Sequence, residues 1–408
     1  MAIASHPALP FAWLDRRLSP HVLIFRRPLP AFQVWGVAGL CCALALAACL
    51  TVRRGLELPV MAALFGGAIA NFFALVIVKK IITGRENLVY YQHEILVLFQ
   101  AALILRLLSR PVLPYLDITA IAVGCFLAFG RVGCLMVGCC HGRPAGAGIR
   151  YTESHGEAGF TRSLVEVPLV PVQLIEACWA FLIVLACAAW LASGSRPGEA
   201  FASYVAAYAI GRFWLEYWRG DPRRPYWRGS SAAQWISLVS AGLIVREEFA
   251  GALPFHYWHA AAAALLAGVA LGNALRGTNS RHILRAGHIE EMAESLARLS
   301  RRDGGSPGIP VIDTSLGIRI SCGTLRENGG EAYHYTFSRR GGSLTPQEAR
   351  KLTLLTLRLR RHSEPYLVMR GASGAWHVVA GSVASAPSQQ AVEPAPLAGF
   401  PMLGRPIV

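Results

Sequence analysis

Eight stretches of this chain are apolar over close to the length that a membrane-crossing helix requires: 33–52, 59–78, 88–108, 115–136, 169–192, 199–218, 233–247 and 256–275. A helix crossing roughly 30 Å of hydrocarbon needs about 20 such residues. Inside hydrocarbon every backbone N–H and C=O must find a partner within the protein, which restricts the chain to helices or a closed barrel. The stretch at 233–247 is short, so seven or eight spans are expected. Composition agrees, since 54% of the residues are hydrophobic and 15% charged, against roughly 25% charged in soluble proteins. The prediction is a mainly α, polytopic helical membrane protein, and a purely soluble enzyme is excluded.

The formal net charge is +15. Nucleic-acid binding needs a basic stripe on a solvated fold, whereas much of this excess lies between apolar stretches. Anionic lipid headgroups are therefore the expected partner, and nucleic acid is not. The loops on the N-terminal side of the spans are the more basic. The positive-inside rule puts that side in the cytoplasm, but a surface that binds an anionic substrate would carry the same bias, so the orientation stays open. Nine of the ten cysteines precede residue 190, mostly inside apolar stretches, and read as small packing residues.

The chain divides into an uncleaved N-terminal interfacial segment (1–32), a membrane domain (33–275), an amphipathic helix with a linker (276–308), a small α+β domain (309–382) and a disordered Ala/Pro-rich tail (383–408). In the fourth of these, β-rich stretches at 309–316, 317–325 and 332–338 precede Thr345-Pro346 with Glu348 three residues on. That pattern is a capping box with Pro at the first helical position and predicts a helix over 346–361. Strands at 365–370 and 375–382 complete the α+β unit. His334 and His377 read as strand or surface residues.

Three constellations carry possible chemistry. Arg212, Glu216 and Arg219 are spaced i, i+4, i+7 and share one helix face. Ionisable groups are costly in a span and mark function by default; the competing reading is a helix end whose arginines snorkel to headgroups. In GRVGCLMVGCCHGRP (130–144), Gly130, Gly133 and Gly138 strip bulk from around Arg131, as an anion pocket would need, or as helix packing would. Cys134, Cys139, Cys140 and His141 also suggest soft metal ligands, but adjacent positions 139 and 140 point apart on a helix, so neither a metal nor any other cofactor is expected. No C-x-x-C is present for a redox pair. Third, Tyr90, Tyr91, Gln92, His93 and Glu94 interrupt an apolar stretch, and His93 offers a proton acceptor near neutral pH. Gln173 and Glu176 make a further polar patch, while Gln234 opens the next stretch as a cap or an interfacial residue.

Taken in order, these pieces resemble the prolipoprotein diacylglyceryl transferases over residues 19–247. GRVGCLMVGCCHGRP resembles the family signature beginning Gly-Arg-x-Gly. VPLVPVQLIEA is similar to its Pro-x-Gln-Leu-x-Glu-Ala segment, AIGRFWLEYWRGDPR to its Arg-Phe-x-x-Glu-x-x-Arg stretch, and SAAQWISL to its Gln-Trp-x-Ser run. The resemblance implies a bacterial inner-membrane enzyme that moves a diacylglyceryl group from phosphatidylglycerol to the lipobox cysteine of a prolipoprotein, with the reaction at the outer face. It implies catalytic roles for Arg131 and Arg212, with Glu216 and Arg219 completing the second motif. Gly130, Gly133, Cys134, Gln173 and Glu176 are the further expected substrate-binding positions. Two positions depart from the pattern: Cys134 stands where the signature has Asn, and Tyr91, Gln92 and His93 stand where the family has His-Gly-Gly. The proton acceptor is then Tyr91, His93 or, in a divergent member, another residue. The alternatives are a transferase on the same body with another acceptor, and a non-enzymatic lipid-binding or transport protein.

Overall fold

The structure is a computed structural model that describes residues 11–84, 90–220, 226–275, 282–301, 310–327, 330–362 and 366–381. A short helix α1 (Ala12–Asp15) and a hairpin of β1 (His21–Ile24) and β2 (Arg27–Pro30) lead into four long helices. These are α2 (Ala31–Arg53), α3 (Leu58–Thr83), α4 (Tyr90–Leu107) and α5 (Val112–Val137). An irregular connection with β3 (Pro144–Ile149) and a short α6 (Glu153–Glu157) precedes α7 (Val172–Ser193) and α8 (Glu199–Leu215). The two-residue strands β4 (Tyr226–Trp227) and β5 (Ser230–Ser231) then lead to α9 (Ala232–Phe249) and α10 (Tyr257–Leu275).

The eight long helices fall on the eight apolar stretches. Five of them, Ala31–Arg53, Leu58–Ile82, Val112–Val137, Val172–Ser193 and Tyr257–Leu275, are long and apolar enough to cross a membrane. The other three are shorter, and each carries ionisable residues. The chain is a multi-pass membrane protein.

At the centre stands α5, whose Ile118, Ala120, Ile121, Ala122 and Ala128 are fully buried against the helices around it. Small residues set the approach: a Cβ on Gly124 would run into the Tyr204 ring of α8. On α3 and α4, by contrast, Phe73, Ile77, Ile81, Ile82, Phe99 and Leu103 stand exposed, the surface expected of helices in contact with lipid tails. Two buried polar links tie the bundle. Asp117 of α5 accepts the Gly198 and Phe201 N–H groups at 2.7 Å each, satisfying donors that the first turn of α8 leaves open. Glu248 of α9 contacts His259 Nδ1 of α10 at 2.5 Å, and His259 Nε2 lies 3.3 Å from Ser203 Oγ of α8.

The C-terminal part is a five-stranded antiparallel sheet with two helices. The elements are α11 (Ala286–Arg301), β6 (Val311–Asp313), β7 (Ile318–Glu327), β8 (Gly330–Arg339), α12 (Pro346–Arg360), β9 (Tyr366–Arg370) and β10 (Trp376–Gly381), with strand order β6-β7-β8-β10-β9. The capping box forms as its residues require: Thr345 Oγ1 accepts the Glu348 N–H (3.3 Å), and Glu348 Oε2 accepts the Thr345 N–H (2.9 Å). α11 is amphipathic, but its apolar face (Ile289, Met292, Leu296, Leu299) is buried in one core with the sheet. That core continues into Leu135, Ile149, Tyr151, Phe160 and Leu164 of the membrane domain. Arg358 donates to Pro144 O (3.2 Å) and Arg361 to Val165 O (2.6 Å). The sheet and its helices are thus docked on the connection between α5 and α7. The expected linker at 303–308, the tail at 383–408 and the first ten residues lie outside the described residues.

Candidate functional site

Glu176 is completely buried in the first turns of α7, and three arginines from three segments converge on it. Arg131 Nε of α5 lies 3.0 Å from Oε2, Arg219 Nη1 3.3 Å from the same oxygen, and Arg212 Nε of α8 3.7 Å from Oε1. Tyr208 donates its hydroxyl to Oε1 at 2.9 Å. Arg212 also meets Glu216, one turn on, at 2.8 Å. The expected helical face therefore forms over Arg212 and Glu216. Arg219 follows the end of α8, in an extended stretch, and reaches the same carboxylate from there. These side chains do not snorkel: Arg131 and Arg219 are 8% and 2% exposed. A buried charge is retained only where it is paired, and here one carboxylate is the shared counter-charge of three guanidinium groups, with Arg219 donating a hydrogen bond to it.

Glycines build the second wall. Helix α5 ends at Gly138, whose φ of +83° is the left-handed conformation that lets a helix stop and reverse. The following residues pair with the stretch after α8: Gly220 N–H donates to His141 O and Arg143 N–H to Trp218 O, both at 2.9 Å. Arg143 Nε adds a bond to Arg219 O at 3.0 Å. A Cβ on Gly142 would collide with the Val170 carbonyl, so this close pairing needs glycine. Gly133 approaches the Phe32 backbone of α2, a packing role. Gly130 has open space where its side chain would be.

Gln173, fully buried, donates to Cys139 O (2.8 Å) and to the Tyr151 hydroxyl (3.2 Å); it holds the loop that follows α5. Tyr151 donates onward to Leu135 O (3.1 Å), and burial pushes its phenol far above its ordinary value, so it stays a neutral donor. Ser231 caps α9 and Gln234, three residues on, completes the capping box, its Oε1 accepting the Ser231 N–H at 2.9 Å while its amide donates to Phe213 O of α8 at 3.3 Å. The sulfur atoms of Cys134, Cys139 and Cys140 lie within 4.8 Å of one another.

The first turn of α4 divides. The Tyr91 side chain lies outside the described residues. His93 packs its ring on Phe72 of α3, 5.0 Å between centroids. Glu94 instead accepts from Tyr204 of α8 at 3.2 Å, and that ring stacks on Tyr208 with centroids 6.1 Å apart. Through the two tyrosines Glu94 is joined to the arginine cluster, which His93 is not. The sequence places His93 and Glu94 side by side but does not show which of the two faces the cluster. Tyr204 and Tyr208, two aromatic residues four apart and among alanines, were the available signal.

Residues 86–245 match the sequence model of the prolipoprotein diacylglyceryl transferases. The match takes in α4 to α9 and leaves the rest of the chain outside it. It is 33% identical over 131 residues to a phosphatidylglycerol–prolipoprotein diacylglyceryl transferase of Clostridium tetani, covering 32% of this chain and 50% of that protein. A second such protein, from Clostridium perfringens, is 31% identical over 134 residues, 31% of this chain and 48% of its own. The chain thus matches about half the length of these curated transferase relatives. No solved structure matches it. Arg131, Glu176, Arg212 and Arg219 all lie inside the family-matched region, whereas α11, α12 and the five-stranded sheet lie outside it.

Proposed function

We propose that the protein transfers a diacylglyceryl group from phosphatidylglycerol to the lipobox cysteine thiol of prolipoproteins in the bacterial inner membrane. The observation that carries this reading is the convergence of Arg131, Arg212 and Arg219 on buried Glu176, at the boundary between the spans and the loops after α5 and α8. In the reaction the thiolate sulfur attacks a glyceryl carbon and forms a C–S bond. The C–O bond to phosphate breaks, its electron pair goes to the phosphate, and the thiol proton goes to a base. Negative charge grows on the departing phosphate, and fixed guanidinium groups in a site shielded from water stabilise it best. Arg131 and Arg212 take that role, as catalytic anion-binding residues. Glu216 and Arg219 position them, and Gln173 holds the adjoining loop.

For the proton acceptor the contacts favour Glu94, joined to the cluster through Tyr204, over His93 and Tyr91. Glu94→Gln is expected to lower transfer by about a hundredfold or more, within the usual range of about 10²–10⁴ for a general base, while His93→Ala retains most of it. The opposite pattern would return the role to His93.

The deciding experiment is mass spectrometry of a lipobox peptide incubated with the purified protein and phosphatidylglycerol, beside Arg212→Ala. A diacylglyceryl mass increment on the peptide cysteine, absent with the variant, is the expected result. An unmodified peptide with folded protein would reject the reading.

A further inference from the structure

The three thiols beside the arginine cluster are unused by the proposed transfer. On a continuous helix Cys139 and Cys140 would diverge, but α5 stops at Gly138, and Cys140 is itself left-handed with φ +57°. The chain therefore turns back, and Cys139 Sγ comes to lie 4.0 Å from Cys134 O, over the last turn of the helix. All three sulfurs fall within 4.8 Å of one another. Three thiolates around one ion at a metal–sulfur distance of about 2.3 Å are separated by roughly 3.8–4.0 Å, so the cluster closes on a cation with side-chain adjustments of under about 1 Å.

We propose that Cys134, Cys139 and Cys140 form a three-thiolate site for a thiophilic d¹⁰ cation, Zn²⁺ being the first candidate.

Three features beyond the spacing support it. The loop is held from both sides, Cys139 O by Gln173 Nε2 at 2.8 Å and His141 O by the Gly220 N–H at 2.9 Å, so the ligands are presented on a fixed frame. Cys134 is buried, Cys140 half-buried and Cys139 exposed, which gives an ion a path in through Cys139. Finally, a divalent ion with three thiolates carries one net negative charge, and Arg131 stands one helical turn before Cys134 on α5, placing a guanidinium group on the side of the helix that offsets that charge. Thiolate ligands select soft ions over Mg²⁺ or Ca²⁺. Three protein ligands leave a fourth position for water or an external thiol, the arrangement of exchangeable rather than closed zinc sites.

The proposal is independent of the transferase reading and is tested by binding. The full chain is purified in detergent, reduced, freed of metal and titrated with Zn²⁺ against a chromogenic chelator. Cd²⁺ serves as a second probe through its thiolate charge-transfer absorption. The expected result is one ion per chain with a cadmium–thiolate band, weakened about tenfold or more in Cys139→Ser and in Cys140→Ser, by analogy with the loss of ligand-shell groups. Cys178→Ser, an exposed thiol on α7, should bind as the parent does. Absence of stoichiometric uptake by the reduced, folded parent would overturn the site. So would uptake that persists undiminished when all three cysteines are replaced by serine, since the ion would then sit elsewhere.

Discussion

Glu176 holds three guanidinium groups and a phenol with two oxygens, and its removal should therefore cost more than any single arginine. Deleting one partner of a buried ion pair strands the others in a medium that solvates them poorly, at about 3–5 kcal/mol. Glu176→Gln keeps the shape and can still accept from Tyr208, but leaves Arg131, Arg212 and Arg219 repelling one another. Destabilisation of about 3 kcal/mol or more is expected, read as a lowered unfolding midpoint in detergent, together with loss of peptide modification. Arg212→Ala should be milder in stability, because Arg212 is the most distant of the three from Glu176 and rests also on Glu216. A Glu176→Gln variant as stable as the parent would mean that the carboxylate does not organise the cluster.

The elements that bring these residues together differ in how far the sequence reveals them. Long helices follow from uninterrupted apolar stretches because backbone satisfaction in hydrocarbon leaves no other choice, and the α12 cap follows from Thr345, Pro346 and Glu348 because its bonds are three residues apart. The pairing of 141–143 with 218–220 is different in kind. It joins positions some 76 apart, and what marks it in the sequence is only two glycines, Gly142 and Gly220. The same holds for Cys139 and Cys140, misread as diverging because nothing local says that Gly138 ends the helix rather than packing within it. It holds for Glu94 too, whose partner Tyr204 lies 110 residues away. Gly142→Ala tests the pairing: its methyl would meet the Val170 carbonyl, forcing the 141–143 stretch off the stretch that carries Arg219. Peptide modification should fall at least tenfold, as misplacement of a catalytic group costs about 10², while the long helices keep their protection from hydrogen exchange. An unchanged rate would show that the pairing does not position Arg219.

The sheet domain and the membrane domain share one core, so a change in one should be felt in the other. Three histidines make that coupling pH-dependent. His288 is buried with its Nδ1 2.8 Å from Ile283 O, and burial lowers its pKa. Burial likewise lowers those of His334 and His362, helped by His377 in the first and Arg360 in the second. With the folded value below the unfolded value of about 6.5, the unfolded chain binds more protons in the interval between the two, and stability rises with pH there. The stabilisation is complete above about pH 6.5 and declines as the pH falls toward the depressed folded values. Lowering the pH from 7.5 to about 5.5 should therefore raise hydrogen exchange, corrected for its intrinsic pH dependence, first in β7, β8 and α11. Because Arg361 bonds Val165 O and Arg358 bonds Pro144 O, the 144–169 connection should loosen in parallel, and with it the loop that Gln173 holds beside the arginines. His288→Gln, which cannot gain the proton, should flatten the response. Exchange that rises in the sheet while 144–169 stays protected would show that the shared core does not transmit the change to the site.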